Sequence, residues 1–181
     1  MTDTRTRIAA GLERAFAREG FARPNVETLR EAADVSLRTL YKYAPSREAM
    51  VHLALEHRHG RYLGRLFDDP PEETEAVLPA LLDRIAAWMA SEASHGCLFH
   101  AAVAAAPRDE RLRALLERHK AEVAERAARL ARLPGREVEI TLVFEGLTQT
   151  WPLSGDAATL GAKRLAAALG GLPDGDGPHG A

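Results

Sequence analysis

Apolar residues recur along the chain at intervals of three and four, and no stretch shows the strict alternation of a half-buried strand. Ile8, Leu12, Ala15 and Phe16 form the first stripe, which predicts a helix over residues 5–19. Gly20 supplies a left-handed stop, with Phe21 able to fold back on the last turn. Asn25 caps a second segment whose face is Val26, Leu29 and Ala33. Ser36 caps a third, over residues 37–43, and Val35 with Leu40 can form a hydrophobic staple across that cap. Pro45 ends it, Ser46 caps a fourth helix, and that helix runs from Arg47 to about Phe67.

After the break at Asp68, Asp69, Pro70 and Pro71 the pattern resumes from Glu72 to about Ala93, with Val77, Leu81, Ile85 and Trp88 on successive turns. Ser94, His95 and Gly96 interrupt it, and a short apolar helix follows over 98–105. From Asp109 to Leu133 the residues Leu112, Leu116, His119, Val123, Arg126, Leu130 and Leu133 alternate by four and three. This heptad-like seam, broken by Arg126, asks for a partner helix. Pro134 and Gly135 separate it from 136–152, where Ile140, Phe144, Leu147 and Trp151 make one stripe while Val138, Leu142 and Val143 fall on other faces. A helix apolar most of the way round is covered on most of its sides. A last amphipathic helix, 156–169, precedes LGGLPDGDGPHGA, which reads as a frayed tail. The pattern predicts an all-α chain of about nine helices. Its expected division is residues 1–46, a connecting helix and bundle over 47–170, and a disordered tail over 171–181.

Composition agrees. The chain is 46% hydrophobic, 28% charged and 6% aromatic, rich in residues that lose little on entering a helix. No apolar run approaches the roughly 18 residues of a membrane span, and the charged start is unlike a signal peptide. Cys97 stands alone and cannot form an internal disulfide, which suits a reducing, cytoplasmic setting. A formal charge of −2 gives no basic signal overall, but residues 1–60 hold ten Arg or Lys against eight Asp or Glu, so the slight basic excess is N-terminal.

Two short helices joined by a tight turn and preceded by a longer one make the three-helix form of the helix-turn-helix, whose last helix can enter the major groove. With Leu40 at the centre of the inward face and about 100° per residue, Ser36, Leu37, Tyr43 and Ala44 fall near the core and Arg38 and Lys42 lie opposite. Arg can pair bidentately with guanine, Lys can reach guanine or phosphate, and Thr39 and Tyr41 beside them can donate to phosphate.

The run RIAAGLERAFAREGFARPNVETLREAADVSLRTLYKYAPSREAM resembles the N-terminal domain of the TetR family of transcription regulators over about the first quarter of the chain. The resemblance rests on Ala33, Asp34, Val35 and Ser36 at the turn, on Thr39, Leu40 and Tyr41, and on Pro45, Ser46 and Arg47. It implies that Asn25, Thr39, Tyr41, Tyr43 and Arg47 hold phosphates and that Leu37, Arg38 and Lys42 approach bases, with Ser36 beside them. Asp34 stands where the family usually has glycine, Ala44 where it has phenylalanine and Arg30 where it has a small residue.

The same resemblance implies a ligand-responsive regulator, a repressor in the commonest form, that binds a palindromic operator in double-stranded DNA as a homodimer and releases it when a small apolar or amphipathic effector binds. Tyr62, Phe67, Trp88, Met89, Phe99, His100 and Phe144 are the candidate pocket residues. The dimer is expected on helices 109–133 and 136–152, with Leu112, Leu116, His119, Val123, Val143, Gly146 and Thr150 at the contact. His52, His57 and His59 lack the i, i+4 pairing of two metal ligands on one helix, so no metal site or cofactor is expected, and no catalytic motif is present. The alternative is a helical protein-interaction module with the same fold and no small-molecule effector.

Overall fold

The computed structural model describes residues 3–93 and 96–170; Ser94, His95 and the expected tail at 171–181 lie outside the described residues. Among the described residues there are nine helices and no strand: α1 Thr4–Glu19, α2 Val26–Ala33, α3 Leu37–Tyr43, α4 Arg47–Phe67, α5 Thr74–Glu92, α6 Leu98–Ala105, α7 Glu110–Leu130, α8 Glu137–Ser154 and α9 Asp156–Leu169. The stop and start signals account for most of these bounds. Gly20 takes a positive φ of 74° after α1, and the Asn25 and Ser36 side chains accept the first free amides of α2 and α3, those of Thr28 and Thr39. The α8 helix runs two residues further than its pattern predicts, carrying Pro152 inside its last turn.

The described residues divide into two compact units, residues 3–66 with 96–119, and residues 67–93 with 120–170. The first unit is built on α1, whose Ile8, Leu12, Ala15 and Phe16 are buried together with Leu29 of α2, Leu40 of α3 and Ala54 and Leu55 of α4. Helix α1 crosses α2 closely at Gly11. A Cβ placed there would stand 2.3 Å from the carbonyl oxygen of Ala32 and 2.5 Å from the Cα of Ala33, both backbone atoms that cannot turn aside. The start of α7 also belongs to this unit. Asp109 Oδ1 accepts from the amides of Arg111 and Leu112 at 2.9 and 3.1 Å. Desolvation pushes the Asp109 carboxyl up, but those amides and the His52 imidazole nearby outweigh it and hold the group below the usual range.

The second unit packs α5, α8 and α9 on one another. Its core includes Leu81, Leu82 and Ile85 of α5 and Ile140 and Leu147 of α8. Lys163 of α9 pairs with Asp83 of α5 at 2.6 Å, and Lys120 of α7 pairs with Glu145 of α8 at 2.5 Å. Part of the α7 seam is taken up inside the chain: Leu112 and His119 are 3% exposed and Val123 is 6%, while Leu116, Arg126, Leu130 and Leu133 are half-buried. No described helix is long and apolar enough to cross a membrane.

The crossing at Gly11 gives a direct test. Gly11→Ala forces a methyl group into backbone atoms and should cost about 1–3 kcal/mol or more, read as a lower denaturation midpoint. An unchanged midpoint would mean that α1 and α2 do not meet so closely.

Candidate nucleic-acid interface

The turn between α2 and α3 decides where α3 points. Asp34 ends α2 in the left-handed conformation, φ 53° and ψ 52°, with its amide bonded back to Arg30 and Glu31 carbonyls. Asp tolerates this geometry better than most residues, so the turn forms without the glycine usual in the resembling family. Arg30 braces it: its guanidinium meets Glu27 at 2.6 Å and Glu31 at 3.2 Å and donates to the Val35 carbonyl at 3.3 Å. Its donors thus serve the turn. Ala44, which replaces a larger residue, is fully buried.

On α3, Leu40 is fully buried and Tyr43 is half-buried. Arg38, Tyr41 and Lys42 are exposed, and Thr39 is half-buried. Leu37 and Ser36, placed inward by the helical wheel, are also exposed, because α3 begins beyond the edge of the core. The structure therefore brings Ser36, Leu37, Arg38, Tyr41 and Lys42 onto exposed surface. Ser36 has local work as well, since its Oγ accepts from the Thr39 amide at 3.1 Å and lies 2.9 Å from Thr39 Oγ1. Asn25 Oδ1 is taken by the Thr28 amide and hydroxyl, at 2.9 and 3.1 Å, while its Nδ2 keeps two donors.

The cations of residues 1–61 sort into two groups. Arg14, Arg18, Arg30, Arg47, Arg58 and Arg61 are bonded to carboxylates or carbonyls of their own unit. Arg5, Arg7, Arg23 and Arg38 are exposed and carry no hydrogen bond or ion pair among the described residues, and the Lys42 ammonium rests 5.6 Å from the Tyr43 ring centre. Arg47, expected at a phosphate, is instead spent largely on the loop between α1 and α2. It donates to the Pro24 carbonyl at 2.7 Å and the Phe21 carbonyl at 2.5 Å, with its guanidinium 5.8 Å from the Phe16 ring centre. Beside it, hydrogen bonds from the Ser46 hydroxyl and its own amide hold the Glu48 carboxyl below the usual range.

An N-terminal helix-turn-helix whose third helix shows unpaired cations, followed by six further helices, matches solved structures along nearly the whole chain. SCO4454, a TetR-family transcriptional regulator from Streptomyces coelicolor, superposes with a TM-score of 0.76 at 18% identity, over 92% of this chain and 93% of its own. The fold is that of the TetR-family regulators. A TetR-type regulator of Streptomyces avermitilis, sav143, gives a TM-score of 0.73 at 18% identity, over 93% of this chain and 99% of its own. GusR of Salmonella enterica gives 0.67 at 21% identity, over 93% and 94%. No family model matches the sequence, and no curated protein matches it.

The expected effector residues fall in both units of this TetR fold. In the first, Tyr62 and Phe99 meet at His119, with ring centres 5.2 and 4.0 Å from it, and His59 Nδ1 lies 3.0 Å from His119 Nδ1; His100 is exposed. In the second, Trp88, Met89 and Phe144 are core and Phe67 lies under the Arg126 guanidinium at 5.9 Å. The three histidines of α4 face three different partners: His52 lies 3.6 Å from Asp109, His57 2.6 Å from Glu13, and His59 on His119. Among the described residues no group of three His, Cys, Asp or Glu is placed to hold a metal.

A surface feature that sequence reasoning only half found lies on α8 and α9. Val138, Leu142, Leu153, Leu160 and Leu165 are all more than half exposed. A groove of about 350 Å³ runs between the two helices, lined by Leu142, Gly146 and Thr150 on one side and Ala157, Gly161 and Leu165 on the other. Gly146 and Thr150 were expected at an interface; α9 was not. The signal was present in Ala157, Gly161 and Leu165, which fall on one face of α9 at helical spacing.

The two arginines separate contact from support. Arg38→Ala should leave the melting temperature unchanged, since nothing in its unit binds the side chain. Arg47→Ala should lower it by several degrees, as about 1–3 kcal/mol of charged hydrogen bonding to two carbonyls is lost. Equal melting temperatures for the two variants would contradict this division.

Proposed function

We propose that the chain is a ligand-responsive, DNA-binding transcription regulator, a repressor that holds a palindromic operator as a homodimer. The observation that carries the reading is α3: a capped helix whose Arg38 and Lys42 stand exposed beyond a fixed turn. Arg38 suits a guanine edge, while Lys42, Tyr41 and the Asn25 amide suit phosphates.

The twofold contact is best supplied by α8 and α9. The α7 seam is buried at Leu112, His119 and Val123, whereas α8 and α9 leave five large apolar residues in water, two of which, Leu142 and Leu165, flank the groove. Two copies packing there would form a four-helix interface and cover that surface. Val143, buried beneath the groove, supports the contact rather than making it. A dimer sets two recognition helices about 34–36 Å apart, one turn of duplex, and an effector that prefers another separation releases the operator. Tyr62, Phe99 and the imidazoles of His59 and His119 pack on one another, an aromatic cluster with a few polar atoms that a small amphipathic effector would have to part in order to bind.

The reading is tested by anisotropy with a labelled duplex selected from a random pool. Affinity should fall steeply with salt, and Arg38→Ala should lose about 1–3 kcal/mol on the selected duplex and far less on random DNA. A chain that selects no duplex, or an Arg38→Ala variant with unchanged affinity, would refute DNA recognition.

The interface has its own test. Gly146→Glu or Leu142→Glu should turn a dimer into a monomer in light scattering, because a carboxylate buried on a dry contact costs several kcal/mol unless it finds a partner. Variants that remain dimeric would remove α8 and α9 from the interface.

A further inference from the structure

Glu13 is a carboxylate inside the apolar face of α1, 2% exposed, between Leu12 and Ala15. Its partners all come from a little over one turn of α4. Oε1 accepts from Arg58 Nη1 at 3.0 Å and from Arg61 Nη1 at 2.8 Å, and Oε2 lies 2.6 Å from His57 Nδ1. The Arg58 side chain is itself only 4% exposed. Apolar ridges can repack one turn along with modest loss, but sliding α1 along α4 here would pull a buried carboxylate away from the three α4 side chains that hold it. A buried charge pair of this kind specifies register more than it stabilises.

The other end of α1 is fixed to the same helix. Arg47, ten residues before His57, holds the Phe21 and Pro24 carbonyls just past the end of α1. Two attachments at separate points along α4 fix both the position and the angle of α1. At Gly11, α1 in turn meets the backbone of α2.

We infer that Glu13 is a positioning residue for DNA recognition: its carboxylate locks the register of α1 on α4, so that α2 and α3 follow any displacement of α4 as one body. The inference rests on the DNA-binding reading above. It assigns the coupling of α4 to the recognition helix to a charged clamp, in place of a general apolar contact. Glu13 touches no base or phosphate in this account; it sets where Arg38 and Lys42 arrive.

The test uses the full chain and the duplex it selects from a random pool, remade with its half-sites moved apart or together by one and two base pairs. The wild type should prefer its own spacing by about tenfold. Glu13→Gln keeps the shape and removes the charge; it should keep the half-site sequence preference while its spacing preference falls below about threefold. Glu13→Asp, which keeps the charge, should restore most of the discrimination, a rescue that simple loss of packing does not predict. Amide exchange supplies a reading without DNA: in Glu13→Gln, residues 4–19 should exchange faster while α5, α8 and α9 are unchanged. Should Glu13→Gln fail to fold, Arg61→Gln removes the more exposed partner and carries the same expectations. A folded variant with wild-type spacing preference, or with unchanged exchange in α1, overturns the clamp. A wild type that tolerates every spacing overturns it too. A chain that selects no duplex refutes the DNA reading instead, and the exchange result then stands alone for or against the lock.

Discussion

The N-terminal unit depends on α1 being held. Helices α2 and α3 have eight and seven residues, too short to persist by themselves, and each buries little more than one large side chain, Leu29 and Leu40. Their stability comes from a surface that another element provides. That surface is the stripe Ile8, Leu12, Ala15 and Phe16, and Gly11 lets α2 come close enough to use it. A side chain at position 11 would move α2 outward, and the turn at Asp34 would carry α3 with it. The recognition surface is therefore a consequence of packing two helices behind it.

The departures from the resembling family are compensated locally. A left-handed Asp at the turn lacks glycine's freedom, yet the same turn gains a hydrogen bond from Arg30 to the Val35 carbonyl and a carboxylate on either side of that guanidinium. Arg30, standing where the resembling family has a small residue, is the brace of the motif. Ala44 buries fully where a ring would fill more space, and Phe21 stacked on Phe16 at 5.0 Å adds aromatic packing elsewhere in the same core.

Most helix bounds were legible because they are set by single residues acting locally: a glycine with positive φ, a Ser or Asn accepting an amide, a proline ending a run. Which apolar stripe meets water was not legible, because periodicity reports that a face is apolar and not what covers it. The α7 seam and the α8 face read alike in sequence; the first is buried at Leu112, His119 and Val123, and the second is left exposed at Leu142 with α9 beside it. Glu13 was hidden for a related reason. A pattern of apolar residues passes over the charge beside them, and its partners His57, Arg58 and Arg61 looked like an ordinary polar face of α4. Arg47 was visible as a cation but not as one whose donors are already engaged, since the carbonyls it holds lie 23 and 26 residues away.

A chain with a formal charge of −2 can still present a cationic face, because the field at a surface depends on charges that are near and unpaired. At physiological salt the screening length is about 8 Å, so exposed acidic residues further away than this contribute little at α3. Within residues 1–61, six arginines are neutralised by carboxylates or absorbed by carbonyls, and their charge does structural work. What is left over that stretch is Arg38 and Lys42 on α3, with Arg5, Arg7 and Arg23 making no hydrogen bond or ion pair among the described residues. Counting all cations would overstate the site, and counting net charge would miss it. The number of unspent cations around the helix-turn-helix limits the phosphate charge it can neutralise, and hence the steepness of its salt dependence: about five per chain from residues 1–61, fewer if Arg38 is committed to a base.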